Sequence, residues 1–137
     1  MNSSTIGICI ALGTSFFFLY TRKKKWSKPI LRWSISVALF LAGILNMLLR
    51  EDSSPDNRIL CWELCVPFLY YSVDRLFRSI SFSIQKRDFI LWLSHSDEID
   101  TSFGAKNPHV RPLDIVFSIG LLVFIILAIL VGVIIFR

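Results

Sequence analysis

The chain has 137 residues, 54% of them hydrophobic and only 18% charged, with a formal charge of +5. So apolar a composition excludes intrinsic disorder, and the length excludes more than one sizeable domain. The charges are clustered: residues 1–21, 33–49 and 115–136 carry none. Runs of this kind match the ~20 apolar residues that cross the ~30 Å hydrocarbon core of a bilayer.

The first apolar segment, residues 5–20, is followed by Arg22, Lys23, Lys24, Lys25 and Lys28. A secretory signal carries its positive charge before the apolar stretch and a small-residue cleavage site after it. The reversed order here reads as a retained anchor with its N-terminal side outside. The basic run, with Trp26 and Trp33 close by, has the character of a membrane-surface feature on an anionic inner leaflet. It is too narrow for a nucleic-acid-binding face.

The second segment, residues 30–49, has Pro29 where a helix start tolerates proline. A polar turn from Arg50 to Arg58 with Ser-Pro-Asp punctuation separates it from the third segment, residues 59–73. That third segment is apolar apart from Glu63 and contains Pro67. The fourth, residues 113–136, is almost purely aliphatic. The bookkeeping of Lys and Arg then favours four spans. Twelve of the fifteen basic residues fall in loop 21–32 and stretch 74–112, which share one side only if the third segment crosses. The expected fold is an all-α bundle of four transmembrane helices forming one membrane domain over residues 1–137. Both termini lie outside, and a cytoplasmic insert spans residues 74–112.

Residues 76–93 of the insert fit two descriptions, an interfacial helix or a small β-hairpin. Ile80, Phe82 and Ile84 alternate with Ser79, Ser81 and Ser83, a period of two that favours the hairpin.

An ionisable side chain inside a span usually faces the bundle interior or water, which draws attention to Glu63. Pro67, four residues later, denies the Glu63 carbonyl its helical donor. Asn46 on the second span lies at a similar depth, so the two side chains form a candidate intramembrane polar pair. Their bland role is to hold the bundle together. Three rows of small residues are candidate helix-packing faces: Gly7, Ala11 and Ser15; Ser34, Ala38 and Ala42, with Asn46 continuing the row; and Ala128 with Gly132. Such rows let backbones approach closely in lipid.

Cys9, Cys61 and Cys65 make neither a disulfide framework nor a redox motif. His95, Asp97, Glu98, Asp100 and His109 match no metal-ligand spacing, and no phosphate-binding glycine loop or catalytic set stands out. The expectation is therefore a non-enzymatic integral membrane protein without metal or cofactor, of a bacterial inner membrane. It would act through helix–helix contacts as an accessory subunit of a membrane complex or an immunity-type partner. Its partners would be the bilayer and either another membrane protein or a second copy, with no nucleic acid. One alternative is a homo-oligomeric channel, pore or transporter-like unit in which Glu63 and Asn46 line a polar path. Another is a sensor that signals through residues 74–112.

Overall fold

Prolines mark three helix starts: Pro29, Pro55 and Pro112 each occupy the first helical position. There the missing N–H costs nothing and the fixed φ is already helical. The computed structural model describes residues 2–24, 27–49, 54–93 and 109–136. Among these residues there are four helices and no strand: α1 (Ser3–Tyr20), α2 (Pro29–Leu49), α3 (Pro55–Gln85) and α4 (Pro112–Phe136). Helices α1, α2 and α4 are each long and apolar enough to cross a membrane, which fits a multi-pass membrane protein. Their outward faces carry large apolar side chains such as Phe17, Leu45, Leu48, Leu130 and Ile134. So much exposed hydrocarbon on so small a chain suits lipid rather than water.

Two compact units divide the chain, Met1–Tyr71 with Ile125–Arg137, and Ser72–Phe124. The first contains α1, α2, the first half of α3 and the end of α4. In it, the turn between α1 and α2 is closed by Arg32. This guanidinium is buried, and it donates to the Ser27 hydroxyl at 2.7 Å and to the Thr21 carbonyl at the end of α1. A cation on a C-terminal carbonyl, here one that also accepts from the Lys24 N–H at 3.1 Å, is favourable both as a hydrogen bond and against the helix dipole. Of the basic run, Arg22 is also buried, whereas Lys23, Lys24 and Lys28 are exposed. Lys25 lies outside the described residues.

The second unit contains the remainder of α3, the extended segment 86–93 and the start of α4. Here the expected hairpin gives way to helix, because α3 runs on to Gln85. Alternation does not sort its side chains: Phe82 and Ile84 are exposed, while Ser81 and Gln85 are buried. Helical spacing does sort them. Phe77 and Ser81 lie one turn apart, Phe77 packing on Phe117 and Ser81 donating to the Arg87 carbonyl. The third apolar segment is thus the front half of a longer helix, and the first part of the insert is its continuation. Lys86, at φ 58°, ends α3 in the left-handed region, with its N–H bonded to the Phe82 carbonyl.

After that turn, Phe89 and Leu91 are buried and Trp92 is exposed. Period-two alternation is real in this stretch, but the segment lies along a helix rather than another strand. Its Ile90 and Trp92 N–H groups donate to Asp114 and to the Ser118 hydroxyl on α4. Asp114 is fully buried and holds the arrangement together. It accepts from Arg87 at 2.7 Å, from the Arg111 N–H at 2.8 Å and from Ile90 at 3.3 Å. The Arg111 bond caps the first turn of α4 from the third helical position.

Asp114→Ala removes the acceptor of all three bonds, leaving the Ile90 N–H unpaired and Arg87 without its carboxylate. We expect a loss of about 3 kcal/mol in the stability of this unit. That is roughly a hundredfold rise in the open population. Trypsin cleavage after Lys86 and Arg87, followed by mass spectrometry, measures it; unchanged cleavage would show that Asp114 does not hold the segment.

Candidate functional site

Residues 59–67 of α3 are each buried or half-buried, with neighbours from three helices. Successive helical residues project about 100° apart, so three in a row reach three directions. Leu60 and Glu63 face α1, Cys61 and Leu64 face α2, and Trp62 faces α4. Each partner helix meets them with a glycine. A Cβ on Gly7 would lie 3.0 Å from the Leu60 Cα and 3.2 Å from the Glu63 Cβ. A Cβ on Gly43 would lie 2.7 Å from the Cys61 carbonyl oxygen, and one on Gly132 would enter the Trp62 indole. That indole donates its N–H to the Ala128 carbonyl at 2.8 Å and its ring packs 6.1 Å from that of Phe136. Phe68 of α3 adds contacts with Phe40 and Trp33 of α2.

The small-residue rows sit differently from one another. Gly7, Ala11 and Ser15 are all buried, as are Ala128 and Gly132. On α2, by contrast, Ser34 and Ala38 are exposed, and Ala42 and Asn46 are half-buried. The buried side of α2 is Arg32, Ser36 and Gly43. A row spaced by four drifts about 40° per step, because a turn holds 3.6 residues. Ser34 therefore starts opposite the buried side, and by Asn46 the row has drifted round towards it. Gly43 lies off the four-residue row, and nothing in the spacing marks its close approach to the Cys61 carbonyl.

Glu63 and Asn46 are not hydrogen-bonded to each other. The Asn46 amide donates to the Ala42 carbonyl of its own helix at 3.1 Å. Glu63 is fully buried, and among the described residues neither carboxyl oxygen has a hydrogen-bond partner. Pro67, also buried, lies within an unbroken α3. The Ser15 hydroxyl is a further buried oxygen without a partner among the described residues. An unpaired polar group in such surroundings costs about 1–3 kcal/mol. Among the described residues no disulfide joins Cys9, Cys61 or Cys65, and Cys65 directs its sulfur to the Cys61 carbonyl within the same helix.

Among the described residues no group of three or more His, Cys, Asp or Glu side chains is placed to hold a metal ion. His109 is described and exposed, whereas His95, Asp97, Glu98 and Asp100 lie outside the described residues. No family model, curated protein or solved structure matches the chain. Geometry alone therefore carries the functional reading.

Gly132→Ala tests the seat for the indole. The added methyl has to displace Trp62, costing its bond to Ala128 and its contact with Phe136, roughly 1–3 kcal/mol in all. In a Trp62→Phe background the same change should cost less, and a double-mutant cycle in detergent reads the difference. Additive effects would show that the two residues do not share this contact.

Proposed function

We propose that this chain is a non-enzymatic membrane interaction protein of a bacterial inner membrane that works by helix–helix contact. It would serve as an accessory subunit of a membrane complex or as an immunity-type partner. The observation that carries this reading is the two-sided character of α2. One side of that helix, with Ser36 and Gly43, is buried, while Ser34 and Ala38 offer a second small surface on the outside. Small residues on a lipid-exposed side let another helix approach to backbone contact, which is how helices associate where no hydrophobic force separates protein from solvent. Ala38→Leu should leave the fold and its thermal stability unchanged. In native membranes it should abolish crosslinking of α2 to its partner, captured through a photoreactive residue at position 41, where Leu41 is exposed. Equal capture with and without the bulky side chain would overturn the reading.

The same proposal includes four crossings, with the start of α1 and the end of α4 outside. Two observations support it: the clustering of Lys and Arg in 21–32 and 74–112, and the enclosure of the first half of α3 by three apolar helices. The anchoring loops would then meet the anionic inner leaflet. In a cysteine-free background, a cysteine at Asp56 should react with an impermeant maleimide in spheroplasts. One at Lys86 should react only after permeabilisation. Labelling of both from the same side would exclude a crossing by α3.

A further inference from the structure

Within the first unit, α2, α3 and the end of α4 leave a groove of about 70 Å³ between them, partly open to the exterior. Gly43 supplies no side chain to fill it, Met47, Cys61, Trp62 and Phe136 give it apolar walls, and Arg58 stands among its lining residues. On α3 the contributing positions are 58, 61, 62 and 65, which is one helical face one to two turns long. An exposed guanidinium therefore caps the end of an apolar stripe. Asp56, the nearest described acid on α3, is two residues away and so lies about 200° round the helix. The positive end of the α3 dipole is at this same end.

Apolar walls leave such a groove without polar partners for ordered water, so hydrocarbon is its natural filling. An apolar slot with a cation at one end has the polarity of a single amphiphile. The geometry points to a binding site for an anionic phospholipid, with a few methylenes of an acyl chain in the groove and the phosphate on Arg58. Trp62 in the wall makes the site directly observable. A phospholipid without net charge fills the slot equally well but gains nothing at the guanidinium, so selectivity resides in Arg58.

The test uses the full chain with Trp26, Trp33 and Trp92 replaced by Phe, reconstituted in phosphatidylcholine vesicles. A small fraction of the lipid is either phosphatidylglycerol or phosphatidylcholine with brominated acyl chains, which quench a tryptophan they touch. One basic side chain at a membrane surface favours an anionic lipid by roughly fivefold, and a preference of that order for brominated phosphatidylglycerol is expected. Arg58→Gln should equalise the two lipids and Arg58→Lys should retain the preference, with circular dichroism confirming equal folding. Equal quenching in the parent protein would overturn the assignment. So would a preference that survives Arg58→Gln. Absence of quenching by either lipid would mean that protein covers the groove, which also refutes it. Soluble glycerol phosphate should change nothing; if it relieved quenching, the site would be one for free anions and not for lipid.

Discussion

Six consecutive residues of α3, Leu60 to Cys65, meet three other helices, and the first unit depends on how closely those helices approach. In lipid, burial of apolar surface gives helices little reason to associate, and van der Waals packing and hydrogen bonds replace it. Dispersion falls off steeply with separation, so a gap of half an ångström forfeits a quarter or more of each contact. Gly7, Gly43 and Gly132 remove the side chains that would hold α1, α2 and α4 away. The Trp62 indole takes up the space on the α4 side and adds a bond to a carbonyl that a bulkier position 132 would put out of reach.

This arrangement explains why α3 can carry an acid in mid-segment where the long apolar runs of α1, α2 and α4 carry none. A helix apolar all round belongs in a core, and residues 59–67 of α3 are each buried or half-buried. An acid on α1 or α4 at similar depth would face lipid over much of the circumference. On α3 Glu63 is walled by protein, with Gly7 against its Cβ. Length and charge-free composition identified the three outer helices directly. They could not show that the charged helix is the central one, because centrality comes from neighbours and not from the residues of the element itself.

The same limit governs what else was legible. The row on α1 was readable because Gly7, Ala11 and Ser15 stay within one face over only two turns. On α2 an equal spacing drifts off the packing face, and the buried positions Arg32, Ser36 and Gly43 are separated by four and then by seven residues, which is close to two whole turns. The serine alternation at 79–83 imitates a strand because serine is tolerated on both sides of a helix end, where Ser81 is buried and Ser83 exposed. Asp114 gave no sign of its importance, since its three donors come from positions 87, 90 and 111. The polar pair expected from the sequence, Glu63 with Asn46, was placed by depth alone, and depth says nothing of the direction in which each side chain leaves its helix.

Two fully buried carboxyl groups therefore stand in opposite conditions. Asp114 has a guanidinium and two backbone donors, so its burial organises the second unit. Glu63 has none, so it stabilises nothing through hydrogen bonds and weakens the unit that encloses it. The difference bears on the competing functional readings. A polar path through Glu63 requires α1 to withdraw, because Gly7 backs directly onto the side chain and its approach is what makes the α1–α3 contact close. Docking along Ser34 and Ala38 requires no helix to move, since those positions are already exposed. A contact surface available in the resting arrangement is thermodynamically less demanding than a site reached by breaking the packing that forms the unit. On that ground we propose the interaction reading ahead of the pore, with Glu63 as part of the bundle interior.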